Sequence, residues 1–180
     1  MPGTLPRPDR PVVLVGLMGA GKSTVGRRLA RRLNLPFVDA DTEIERAAGQ
    51  RIADIFDRLG EAGFRDGERR VIARLIDGEP RVIATGGGAF VDDETRAMIL
   101  ARCIAVWLDA DVEVLAERVA RRDTRPLLRD REPRALLHQL AARRNAAYAE
   151  AQLRVRSDPA PHGRVVDRIV DALAGLEAAR

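Results

Sequence analysis

The sequence predicts an α/β fold, a parallel sheet covered by helices on both faces. Short apolar runs alternate with amphipathic helical patterns from residue 11 onward, as strands joined by crossover helices do. The first such unit, Pro11 to Asn34, reads as strand, glycine-rich loop and helix. With 180 residues and 46% hydrophobic content, the chain is long and apolar enough for one domain with a full core.

Each element follows from its own pattern. Val12, Val13, Leu14 and Val15 form the first strand. The helix after the loop aligns Val25, Leu29, Ala30 and Leu33 on one face and stops at Asn34. Pro36 to Asp39 is a second strand, running into a helix that Asp41 or Thr42 can cap and Gly49 ends. A short helix from Ile52 to Leu59 stops at Gly60, and a longer one follows over about 61–76 with Phe64, Val71, Ile72 and Leu75 on its apolar face. Arg81 to Thr85 is a strand ended by Gly86-Gly87-Gly88. Then come a helix over about 92–101, a strand from Ile104 to Leu108 and a helix from Val112 to Arg121. Between Arg122 and Pro133 charge and proline displace periodicity, so that stretch reads as a loop. A helix over about 134–151, a strand from Gln152 to Val155 and a helix from Val165 to Glu177 complete the chain. Residues 1–10 carry three prolines and no periodicity and read as a loose tail, leaving 11–180 as the single domain.

Composition narrows the function classes. Aromatic content of 3% means a core of Leu, Val, Ile and Ala. The balance of 31 basic against 27 acidic residues is mildly basic, which suits small anionic substrates. It lacks the aromatic stacking platform of a nucleic-acid binder. Cys103 lies in an apolar run and excludes a disulfide framework; it and Trp107 read as core residues. His138 and His162 have no Cys or His partner at metal-ligand spacing. No apolar stretch nears the roughly 18 residues of a membrane span and no signal peptide opens the chain, so the expectation is a soluble, cytoplasmic monomer with no membrane partner.

The chemistry begins at Gly16-Leu-Met-Gly-Ala-Gly-Lys-Ser23, which fits G-x-x-x-x-G-K-[ST] between a strand and a helix. Around Gly19, Ala20 and Gly21 the backbone can curl its N–H groups toward phosphate oxygens, with the helix N-terminus adding to the field. Lys22 reaches the outer phosphates, the Ser23 hydroxyl can ligate Mg²⁺, and Thr24 follows inside the helix. Lys22 is the only lysine in the chain; a compact ammonium fits between phosphates where a planar guanidinium is too large. The motif predicts binding of a nucleoside triphosphate.

Ligands of parallel α/β sheets sit at the carboxyl ends of the strands. That rule selects Asp39, Asp41, Thr85 to Gly88 and Asp109. Asp39 and Asp41 could hold Mg²⁺ through water, accept a bond from a substrate hydroxyl, or cap a helix. Three consecutive glycines let a backbone lie flat against a ligand. Arg65 and Arg144 are candidates by position, and Arg125 could bring a guanidinium to transferring phosphate from the charged loop.

Together these motifs resemble the shikimate kinase family. The likeness rests on Gly16 to Thr24, on Phe37-Val-Asp39-Ala-Asp41, and on Gly60-Glu61-x-x-Phe64-Arg65-x-x-Glu68. It extends through Thr85-Gly86-Gly87-Gly88, Arg125-Pro-Leu-Leu128 and Arg144 ahead of Tyr148, all in the family's order. The resemblance implies a P-loop fold of the nucleoside monophosphate kinase-like group, a five-stranded parallel sheet of order 2-3-1-4-5. It implies transfer of the ATP γ-phosphoryl to the 3-hydroxyl of shikimate, with Mg²⁺. By position, Asp41 would hold the substrate hydroxyls, and Arg65, Arg144 and the Gly86–Gly88 turn its carboxylate. Glu68 would support that pocket, Asp39 would stand near Mg²⁺ through water, and Arg125 would be the arginine of a lid at about 122–133. Where the family has proline two residues before the tyrosine this chain has Ala146, which leaves Arg143 and Arg144 both open as the inward residue. Arg118, Arg121 and Arg122 are all open as the residue packing on adenine.

Overall fold

In a computed structural model, residues 5–121, 132–157 and 161–179 are described. The elements run β1 (Val12–Val15), α1 (Lys22–Leu33), β2 (Phe37–Asp39), α2 (Ala40–Ala48), α3 (Ile52–Ile76) and β3 (Val82–Ala84). After a 3₁₀ turn (Ala89–Val91) come α4 (Asp93–Arg102), β4 (Ile104–Asp109), α5 (Val112–Ala120), α6 (Pro133–Tyr148), β5 (Leu153–Arg156) and α7 (His162–Ala178). The strands form one five-stranded sheet of order β2-β3-β1-β4-β5, parallel throughout, with Val13 of β1 opposite Ile83 on one side and Ala105 on the other. The expected architecture and strand order are both present.

The central strands explain the order. All four residues of β1 are completely buried, and β4 is buried along its whole length, as near-continuous apolar runs must be when helices cover both faces. The helices α1 and α7 pack together over the sheet, burying Val25, Leu29, Ile169 and Leu173. Each such side chain contributes about 1.5–3 kcal/mol on burial. Cys103 and Trp107 lie in this core as expected, and burial pushes the Cys103 thiol up to about 12.

Several boundaries differ from the expectation for identifiable reasons. The helix α2 begins at Ala40 and is capped by Asp39, whose Oδ1 accepts from the N–H groups of Asp41 (3.0 Å) and Thr42 (3.3 Å). Asp41 and Thr42 therefore supply N–H donors to a cap and are not caps themselves. The two helices expected on either side of Gly60 run as α3 with a kink there, Gly60 standing at φ 68° and ψ −177°, a conformation that only glycine adopts readily. Pro133 opens α6 at its first turn, where a missing N–H costs nothing. The helix α7 starts at His162, three residues before Val165, the first buried apolar residue of its inner face. The expected lid loop at about 122–133, with Arg125, falls largely outside the described residues. Among the described residues no helix is long and apolar enough to cross a membrane.

Candidate active site

The site lies at the carboxyl ends of β1, β2 and β3. Gly21, at φ 89°, turns the chain out of the loop and into α1, leaving the first N–H groups of that helix facing the loop. The Lys22 ammonium arches back and donates to the carbonyls of Gly16 (2.7 Å) and Leu17 (2.9 Å). From behind, the Ser157 hydroxyl donates to Ala20 O (2.9 Å), and Arg118 donates to Gly19 O and to Ser157 O, both at 3.2 Å. Of the three arginines left open before the lid, Arg118 touches the phosphate loop in this way, and Arg122 lies outside the described residues. Sequence reasoning missed Ser157, because a serine between Arg156 and Asp158 reads as an ordinary polar loop residue. Only its nearly complete burial identifies it.

In front of the loop, the Ser23 hydroxyl donates to Asp39 Oδ2 at 2.6 Å. Asp41, two residues on and in the first turn of α2, points at the glycine turn: a methyl group at Gly86 would stand 2.9 Å from its Oδ1. Lys22, Ser23, Asp39, Asp41, Gly86 and Gly87 border one small cavity of about 90 Å³. The Ser23, Asp39 and Asp41 side chains present hard oxygens of the kind suited to Mg²⁺. Among the described residues no group of three or more His, Cys, Asp or Glu side chains is placed to hold a metal ion.

The triple glycine is explained by space. As Gly86 faces Asp41, so Gly87 faces Arg144, whose Nη1 would lie 3.0 Å from a Cβ there. A Cβ on Gly88 would collide with the Arg65 guanidinium. One carboxylate and two guanidiniums thus crowd three consecutive bare backbone positions, and Gly88, Arg65 and Arg144 line a larger cleft of about 740 Å³. Thr85, just before the turn, donates its hydroxyl to Leu14 O (2.9 Å) and fixes the exit of β3 against β1.

Arg65 is held from beneath by Glu68, which is 1% exposed and accepts from Arg65 Nη1. Burial pushes the Glu68 carboxyl up, the Arg65 guanidinium opposes that shift, and the nearby Asp41 and Asp92 charges add to it. The register left open on α6 is resolved: Arg144 lines the cleft and Arg143 is exposed. Asp109, one of the strand-end acids, lies apart from this group; Arg154 (2.7 Å) and Arg156 (3.1 Å) engage its carboxylate at the β4–β5 edge. Lys22, Ser23, Asp39, Asp41, Arg65, Glu68, Gly86 to Gly88 and Arg144 are brought together. Arg125 lies outside the described residues.

Sheet order and phosphate loop define a P-loop kinase of the nucleoside monophosphate kinase-like type. The family is narrower than that. The shikimate kinase family model (SKI) matches residues 18–174. A shikimate kinase of Caulobacter vibrioides is 59% identical over 167 residues, covering 93% of this chain and 84% of that protein. Among solved structures, a shikimate kinase from Acinetobacter baumannii in complex with shikimate superposes with a TM-score of 0.87 at 38% identity, covering 96% of this chain and 94% of that one. The shikimate kinase from Bacteroides thetaiotaomicron gives a TM-score of 0.87 at 31% identity, covering 92% and 98%. The chain belongs to the shikimate kinase family and is an ATP-dependent kinase.

Proposed function

We propose that the chain transfers the γ-phosphoryl group of ATP to the 3-hydroxyl of shikimate, giving shikimate 3-phosphate for aromatic amino-acid biosynthesis. The observation that carries this reading is the glycine turn against which Asp41, Arg144 and Arg65 converge beside the phosphate loop. A carboxylated cyclic alcohol answers both halves of that arrangement. Guanidinium forks match a planar carboxylate, and an acid matches a hydroxyl.

Each residue then has a task. Arg65 and Arg144 grip the substrate carboxylate, with the N–H groups of the Gly86–Gly88 turn facing it, and Glu68 keeps the Arg65 guanidinium aimed. Asp41 accepts a hydrogen bond from the 3-hydroxyl, turns that oxygen toward the γ-phosphorus, and takes its proton as the new P–O bond forms and the bond to the ADP oxygen breaks. Lys22 leaves the Gly16 and Leu17 carbonyls for the outer phosphates. The N–H groups of Gly19 to Thr24 cradle the phosphate chain. Ser23 and, through water, Asp39 would hold Mg²⁺, whose contribution when bound is to neutralise phosphate charge. Arg125, on its sequence motif alone, is assigned to the phosphates as well. Catalysis is positioning and charge neutralisation, carried out by a cytoplasmic monomer that needs neither nucleic acid nor a membrane.

The test is ADP release with ATP, Mg²⁺ and each of shikimate, quinate and gluconate as acceptor. Turnover with shikimate, and a product whose phosphorus couples to the proton at carbon 3, is the expected result. Equal ATP hydrolysis without an acceptor, or a preference for gluconate, would sink the reading.

A further inference from the structure

We infer that Tyr148 is a positioning residue of this site. Its phenol holds the Gly87 carbonyl, and so keeps the Gly87–Gly88 peptide and Arg144 in register with the phosphate loop. The inference rests on the assignment of the cleft to shikimate and adds to it a residue that touches neither substrate.

Tyr148 is completely buried and heads the largest such side chains of the described core. Packing alone could be served by phenylalanine; a buried phenol needs a partner. The Tyr148 O–H donates to Gly87 O, and the Trp107 ring, with centroids 6.0 Å apart, fixes the phenol from the side. Burial pushes the Tyr148 pKa up, with Arg144 opposing, so the hydroxyl keeps its proton and remains a donor across the neutral range.

Gly87 is the junction of the site. Besides Arg144 Nη1, a Cβ there would lie 3.7 Å from Gly16 O and 3.8 Å from Met18 N of the phosphate loop. A shift of a few tenths of an ångström at this residue changes the spacing between the carboxylate grip and the phosphates. Arg144 and Tyr148 stand one turn apart on α6, on the same face, so a single hydrogen bond ties both the glycine turn and the helix bearing Arg144. The fold itself has a second tie at this point. Arg96 donates to Phe90 O (3.2 Å) and Val91 O (3.1 Å) and pairs with Glu150 (3.2 Å) just beyond α6. Loss of the phenol oxygen therefore loosens the site without freeing the helix.

Tyr148→Phe keeps the ring and removes only the hydroxyl. Expected are a rise in KM for shikimate of about five- to tenfold, the range of one lost hydrogen bond, and a KM for ATP within about twofold of wild type. A second readout needs no substrate. The Ala89 amide, whose bond to Gly86 O (3.3 Å) closes the glycine turn, exchanges faster in the variant, while β1 and β4 amides exchange as before. Unchanged shikimate KM with unchanged Ala89 exchange would overturn the inference, as would a parallel rise of both KM values with faster exchange throughout the sheet. Failure of the wild-type protein to phosphorylate shikimate would instead count against the functional reading, and Ala89 exchange would still decide the role of Tyr148.

Discussion

Asp39 divides its carboxylate between two partners: Oδ2 accepts the Ser23 hydroxyl at 2.6 Å, while Oδ1 caps α2 through the Asp41 and Thr42 amides. One side chain thus sets the first turn of α2 and holds the Ser23 hydroxyl at the start of α1. Asparagine caps a helix about as well as aspartate, so Asp39→Asn should leave the melting temperature within about 2 °C of wild type. The Mg²⁺ concentration for half-maximal rate should rise about tenfold or more, the usual effect of losing an outer-sphere metal partner. Titration of Mg²⁺ at saturating ATP checks this; an unchanged midpoint would reduce Asp39 to a cap.

Arg144→Lys should weaken shikimate binding by about 1–3 kcal/mol while barely changing ATP affinity, because lysine keeps the charge and loses the planar fork. Arg143, exposed on the same helix, is the control. Steady-state KM values for both substrates decide it, and damage from Arg143→Lys alone would shift the register of α6 by one residue.

Glu68 makes stability depend on pH in a direction opposite to most paired carboxylates. Burial raises its pKa in the folded chain, so the folded state binds the proton more tightly than the unfolded state does. Stability from this group is greatest below the unfolded carboxylate pKa and is lost as pH rises through the folded value. Glu68→Gln removes that dependence. From about pH 4 to about pH 7, wild type should therefore lose stability relative to Glu68→Gln. Denaturant melts at both ends of that range measure the difference, and a wild type that gains on its variant with rising pH would show that the Arg65 ion pair outweighs burial.

Lys22→Met should abolish transfer and leave the fold intact, since the ammonium lies outside the apolar core and donates to the Gly16 and Leu17 carbonyls of the loop. Retention of even about a tenth of wild-type turnover would contradict the phosphate-loop assignment.

Much of this site was legible in the sequence because its residues belong to contiguous motifs whose spacing is dictated by backbone chemistry. The loop from Gly16 to Thr24 and the Gly86–Gly88 turn are local patterns, and strand ends collect ligands in any parallel sheet. What stayed illegible depends on three-dimensional neighbours. The cap of α2 turned on which of Asp39, Asp41 and Thr42 lay one step outside the helix, a distinction that pattern reading does not make. Arg143 and Arg144 differ only in which faces the cleft, and the rotation of α6 that decides it is seen only in three dimensions, where Tyr148 meets Gly87, a residue 61 positions away. Asp109 looked like a strand-end ligand until β5 brought Arg154 and Arg156 to it. Ser157 supports a loop 137 residues before it.

The central claim is that a carboxylate beside the glycine turn receives the shikimate hydroxyl and directs it at ATP. Asp41 stands there with its Oδ1 against Gly86, and the capping duty falls to Asp39, so Asp41→Asn leaves the cap of helix α2 in place. Asparagine keeps the size and removes the negative acceptor. The direct measurement is turnover at saturating shikimate, with ATP affinity, in wild type and Asp41→Asn. The account predicts a rate lower by about 10²–10⁴-fold with ATP affinity unchanged within a few-fold; a variant turning over at a near-wild-type rate would contradict it.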